Sequence, residues 1–115
     1  MVRDVRITLQ TLQVLRVLLS RPADEHYGLK IAQESGLATG SIYPILARLE
    51  TAGWVTSEFE KIDESREGRR RRRHYQLTDD GAARAQIEIN KAQQQLAPSA
   101  TPALAQQFIP RPGVV

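Results

Sequence analysis

The chain has 115 residues, no cysteine and a formal net charge of +3. Its length gives room for one domain with a modest core, and the lack of cysteine excludes disulfides and thiolate metal sites. No apolar run approaches the roughly 18 residues of a membrane span, and the charged amino terminus lacks the pattern of a signal peptide. These features predict a cytoplasmic protein with no membrane partner.

The positive charge is concentrated in one segment. Residues 66–73 hold six arginines and one glutamate and carry +5, whereas the rest of the chain, with ten basic and twelve acidic residues, carries −2. A basic patch on a slightly acidic body is typical of a protein that presents one face to a polyanion.

The first two predicted helices are short and amphipathic. Thr8 is a candidate N-cap for a helix that ends at Arg21, because Pro22 disfavours helical geometry in the residue before it. A second helix is predicted from about Tyr27 to Ser35, with Tyr27 facing inward and Gly36 as the left-handed residue after its end. The apolar face of the first helix is predicted to contain Leu9, Leu12, Val14, Leu15, Val17, Leu18 and Leu19.

The third predicted helix, within residues 39–53, has an apolar face and a face of small residues. The predicted core face holds Ile42, Ile45, Leu46 and Leu49. The opposite face holds Gly40, Pro44, Ala47 and Thr51, with Tyr43 and Arg48 at its margins. A helix that starts near Gly40 or Ser41 would place Pro44 in its first turn, where backbone N–H groups lack partners. The second and third predicted helices, joined by a short turn, form a helix-turn-helix pattern, although many short helical hairpins bind nothing.

After the third helix, the sequence changes to the alternation of β-strands. Residues 55–60 and 74–77 alternate between apolar and polar side chains, with a charged loop at about 63–71 between them. This order predicts a winged helix-turn-helix, a mainly α fold with a small β-hairpin (α+β), as a DNA-binding domain at 1–77.

The remaining chain is predicted to form one more helix and a tail. Thr78, Asp79, Asp80 and Gly81 are a capping sequence for a helix at 78–96, which we interpret as a dimerisation helix. Its heptad seam favours pairing with a second copy, with Ile87 left to pack within the chain; the alternative is that the seam packs on the first helix. Residues 97–115 hold four prolines and are predicted to be a mobile tail. The seam consists of Ala82, Ala85, Ile89, Ala92 and Leu96.

Three stretches resemble the PadR-like winged-helix transcriptional regulators: YGLKIA at 27–32, GSIYPILARLETAGWV at 40–55, and HYQLTDDGAARA at 74–85. The resemblance implies a dimeric, sequence-specific DNA-binding protein, usually a repressor. In this family the third helix enters the major groove and the wing contacts the backbone or the minor groove. Some members also respond to small apolar or phenolic effectors, but no residue set here identifies one.

The resemblance and the residue pattern together give a set of candidate contacts with double-stranded DNA. Alternatives remain for several of them: the Tyr43 ring can cover the core edge, Arg48 can pair with Glu50, and the arginine run can be a solvated charge run or a nuclear-localisation signal. The candidates are Lys30, Thr39, Gly40, Ser41, Tyr43, Pro44, Arg48, Arg69, Arg70, Arg71, Arg72 and Arg73.

We find no sequence pattern for catalysis. His26 and His74 lie far apart without cysteine or suitably spaced carboxylates, so no metal and no cofactor is expected. The serines and threonines lack a His/Asp arrangement that would activate a nucleophile. Two alternatives to a specific regulator remain open, a winged-helix adaptor for an acidic protein and a non-specific architectural DNA binder.

Overall fold

The computed structural model describes residues 5–96. Five helices and three strands follow one another in the order α1 (Leu9–Ser20), β1 (His26–Tyr27), α2 (Gly28–Ser35), α3 (Thr39–Thr51), β2 (Val55–Phe59), α4 (Glu64–Glu67), β3 (Arg73–Leu77) and α5 (Asp79–Leu96). The strands form an antiparallel sheet in the order β1-β3-β2. This arrangement is a winged helix, as predicted. The tail expected at 97–115 lies outside the described residues.

Helix α1 begins as predicted but presents a different face to the core. The N–H of Thr11 donates to Thr8 Oγ1 at 3.1 Å, so Thr8 is the N-cap. Leu9 is 69% exposed, and its expected core position is wrong. The buried face consists of Thr11, Val14, Leu15, Val17 and Leu18.

Helix α3 buries the predicted apolar face, since Ile42, Ile45, Leu46 and Leu49 are at most 2% exposed. The helix begins at Thr39, one residue before Gly40, so Pro44 falls in the second turn and its expected position in the first turn is wrong. Proline has no N–H to donate to the carbonyl of Gly40, so this helix lacks one backbone bond at its exposed end. Helix α2, which precedes α3, is followed by Gly36, and this residue has the expected positive φ of 77°.

Strand β1 is absent from the sequence prediction, which placed Tyr27 inside a helix. His26 and Tyr27 pair with Tyr75 and His74 of β3, and Tyr27 is the half-buried N-cap of α2. A strand of two residues leaves no alternating pattern, and only its neighbour in the sheet identifies it.

Helix α5 is fixed to the rest of the domain at its first turn. The Thr78 hydroxyl donates to the Gly53 carbonyl at 2.9 Å and accepts from the N–H of Gly81 at 2.9 Å. A Cβ at Gly81 would collide with the backbone carbonyl of Trp54. The close approach of the two backbones therefore requires glycine at this position.

The seam of α5 is divided between packing within the chain and exposure. Ala85 is fully buried, and Ala82 and Ile89 are half-buried against the same core. Leu96 is 79% exposed. Ile87, which was expected to pack within the chain, is 47% exposed. That expectation for Ile87 is wrong, because α5 buries Ala85 in the core instead. No helix within residues 5–96 is long and apolar enough to cross a membrane.

Candidate nucleic-acid interface

The outer face of α3 presents the expected small and polar residues to solvent. Thr39, Gly40, Pro44 and Arg48 are exposed, and Ser41 is half-buried. A face without bulky side chains allows the helix backbone to approach another surface closely.

Tyr43 lies at the junction of α3 with α2. Its side chain is 46% exposed, and its ring lies over Gly28, where a Cβ would be only 2.6 Å from the ring and the hydroxyl. Tyr43 therefore packs on the start of α2 and still exposes part of its side chain.

The two other cations near this face have no ion-pair partner within residues 5–96. Arg48 does not pair with Glu50, whose carboxylate instead accepts a hydrogen bond from Ser57 Oγ at 2.7 Å. Lys30 is exposed on α2 and borders a cavity of about 170 Å³ that Arg72 also lines. Both cations are therefore available to an external anion.

The wing, residues 60–73, contains the short helix α4, which the sequence prediction treated as loop. Asp63 Oδ1 accepts from the N–H groups of Ser65 and Arg66 at 3.0 and 3.4 Å, and Gly68 ends the helix with a φ of 69°. An N-capping aspartate followed by a glycine is a signal that sequence reasoning missed beside the stronger charge pattern.

Arg69 is bound inside the wing. Its guanidinium donates to both carboxylate oxygens of Glu60, at 2.7 and 3.1 Å, and the N–H of Arg72 donates to the same carboxylate at 2.8 Å. Hydrogen bonding to Arg69, with a smaller contribution from Arg72, lowers the pKa of Glu60 from 4.5 to about 2. The Glu60 side chain is only 9% exposed. This ion pair closes the base of the wing. Because the Arg69 guanidinium is bound to Glu60, it is not available to an external anion.

The other wing arginines lie on different faces. Arg71 and Arg73 stack on the ring of Phe59, with their Cζ atoms 5.2 and 5.0 Å from its centroid. Arg72 stacks on Tyr27 at 5.2 Å. The Arg70 guanidinium has no partner within residues 5–96.

The register of the sheet explains why the wing arginines lie on different faces. Side chains opposite each other on paired strands share a face, and successive side chains alternate between faces. Phe59 pairs with Arg73 and Ser57 with the buried Tyr75, so Phe59 and Arg73 lie on the side of the sheet that faces the core and α3. Sequence reasoning identified none of Phe59, Ser57, Glu50 and Glu60 as part of the site.

The two histidines are brought near each other by the pairing of β1 with β3 but serve different contacts. His26 is 2% exposed and its Nε2 is 3.0 Å from the Arg21 carbonyl. His74 Nδ1 is 3.1 Å from Glu25 Oε2. Within residues 5–96 no group of three His, Asp or Glu side chains is arranged to hold a metal ion.

The family model described as "Transcriptional regulator PadR-like family" matches residues 14–87. No curated protein sequence matches the chain.

Solved structures of one DNA-bound protein and one ligand-bound protein are similar to this chain. Reduced AbfR bound to DNA is 26% identical, with a TM-score of 0.60 over 78% of this chain and 60% of that chain. NadR in complex with 4-hydroxyphenylacetate is 26% identical, with a TM-score of 0.59 over 77% of this chain and 57% of that chain.

Two further structures extend the match over most of the chain. Disulfide-formed AbfR is 25% identical, with a TM-score of 0.62 over 90% of this chain and 64% of that chain. ZitR of Lactococcus lactis is 18% identical, with a TM-score of 0.63 over 92% of this chain and 65% of that chain, and shows the fold alone. The chain thus spans about 64–65% of the length of these relatives.

Proposed function

Because the chain belongs to the PadR-like family of transcriptional regulators, we propose that it represses transcription by occupying a DNA operator as a dimer in the cytoplasm. The family's function agrees with the expectation that the chain is not an enzyme. The observation that supports DNA as the partner is the placement of Arg71 and Arg73 on the same side of the sheet as α3. One surface then combines a helix that fits a groove with fixed positive charge beside it.

In this proposal α3 enters the major groove. The exposed Thr39, Gly40 and Pro44 allow close approach, while Ser41 and the Tyr43 hydroxyl donate to phosphates. Arg48, which has no ion pair within residues 5–96, reads a guanine through two hydrogen bonds. Phosphate contacts of this kind set the register of the helix, and the base contact supplies the specificity.

The wing supplies a second set of contacts. Arg70, Arg71 and Arg73 bind the backbone or the minor groove, whereas Arg69 stabilises the wing through Glu60. Arg72 and Lys30, which line one cavity, are placed to hold a phosphate at the margin of the interface. Of the five candidate wing arginines, four therefore contact DNA in this proposal, and Arg69 has a structural role instead.

Dimerisation is proposed at the open ends of α1 and α5. A cavity of about 190 Å³ there is lined by both apolar and polar side chains, and two of its leucines, Leu9 and Leu96, are 69% and 79% exposed. Ala85 is fully buried and Ala82 and Ile89 are half-buried against their own core, so we place the contact at Ala92 and Leu96. Burial of such leucines against a second copy would stabilise a twofold dimer.

AbfR is a similar protein that binds DNA, which supports double-stranded DNA as the partner here. NadR binds 4-hydroxyphenylacetate, but we assign no effector to this chain.

A titration of a fluorescein-labelled random duplex at about 50 and 200 mM salt tests the proposal. A regulator binds the random duplex weakly and with steep salt dependence, and it binds a duplex selected for affinity at least about 1,000-fold more tightly. An adaptor for an acidic protein would show little DNA affinity at either salt concentration. An architectural binder would show no preference for the selected duplex.

A further inference from the structure

We propose that Phe59 is a positioning residue of the DNA interface, whose ring holds Arg71 and Arg73 in place before DNA binds. This inference rests on the proposed function. Phe59 lies at the end of β2 with 50% of its surface exposed, so packing in the core does not account for it. The contact of its ring with two guanidinium groups does account for it.

The stacking geometry is suited to this role. Both guanidinium carbons lie within about 6 Å of the ring centroid, the range in which a cation is attracted to the electrons of an aromatic face. The guanidinium can stack through its plane and keep its N–H groups pointing outward. Each arginine therefore retains donors for a phosphate or a base edge.

Arg73 is held from a second direction, and this contact leads to α3. Its Nε–H donates to Ser57 Oγ at 2.9 Å, and the Ser57 hydroxyl donates to Glu50 Oε2 at 2.7 Å. Glu50 is on α3, so a chain of two hydrogen bonds joins the wing arginine to the helix. The ring and this chain together set the spacing between the two elements that would contact DNA.

Arginines that are already held in place reduce the conformational entropy that is lost when DNA binds. A flexible arginine loses conformational freedom when it binds DNA, whereas one already stacked loses less. For two arginines, the cost per immobilised side chain corresponds to at most about a 5- to 150-fold difference in Kd. The number of phosphate contacts, which sets the salt dependence, stays the same.

The test compares wild type with Phe59→Leu and Phe59→Tyr in anisotropy titrations of one labelled random duplex. Phe59→Leu keeps an apolar side chain but has no aromatic face, and we expect it to raise Kd about 5- to 150-fold with an unchanged salt slope. Phe59→Tyr keeps the aromatic face, so its Kd should equal that of wild type. A wild-type Kd for the leucine variant, or an equally raised Kd for the tyrosine variant, overturns the inference.

NMR of the free protein separates this inference from the proposed function. The δ-proton signals of Arg71 and Arg73 should be shifted upfield by the ring in wild type and not in Phe59→Leu. Unshifted signals in wild type overturn the inference, whether or not the protein binds DNA. Fluorescence of Trp54, the single and fully buried tryptophan, checks that each variant is folded.

Discussion

The double substitution Arg71→Ala/Arg73→Ala tests the assignment of charge within the wing. Each phosphate contact adds about 0.9 to the slope of log K against log salt concentration, so loss of two contacts flattens the slope by about 1.8. Over a fourfold rise from about 50 to 200 mM salt, wild type should lose about twelvefold more affinity than the variant. Anisotropy titrations of a labelled duplex at several salt concentrations measure both slopes.

The matched control, Arg21→Ala/Lys91→Ala, removes the same number of positive charges outside the wing and α3. Arg21 is exposed and lies 3.2 Å from Glu34, and Lys91 is exposed on α5, 3.7 Å from Glu88. The control should therefore keep close to the wild-type slope. Equal slopes for wild type and Arg71→Ala/Arg73→Ala would refute the assignment, and so would equal flattening in the control.

Three further predictions concern stability, pH and assembly. Gly81→Ala forces a Cβ into a backbone carbonyl and should destabilise the fold by about 1–3 kcal/mol in thermal unfolding, whereas Gly40→Ala, with nothing within 4 Å, should not destabilise it. The pKa of Glu60 is lowered from 4.5 to about 2, so its contribution to stability is complete above pH 4.5 and is lost as the pH falls towards 2; Glu60→Gln should remove this part of the acid transition in chemical denaturation. Leu96→Glu should convert the proposed dimer to monomer in sedimentation velocity, and Ile87→Glu, at an exposed position off the seam, should leave it dimeric.

The main helices could be predicted from sequence because their signals are local and repeated. Ile42, Ile45, Leu46 and Leu49 recur with the period of a helix and are all buried. The Thr8 cap and the left-handed Gly36 were equally readable, since each depends on backbone groups within a few residues. The winged helix followed from the order of these elements.

The remaining features depend on contacts between segments that are distant in sequence. Strand β1 is defined by its pairing with β3. Leu9 is exposed because the end of α5 does not cover the start of α1. Five neighbouring arginines look equivalent in sequence, but Glu60 binds one and Phe59 stacks two, as set by the register of β2 with β3. Periodicity alone contains no information about that register.

If α3 reads base edges in a twofold arrangement, selection from a random DNA pool by the wild-type protein should recover that symmetry. We expect an enriched palindrome whose half-sites are centred about 10–10.5 base pairs, or a multiple of that distance, apart. Recovery of unenriched sequences, despite measurable binding to the pool, would contradict it.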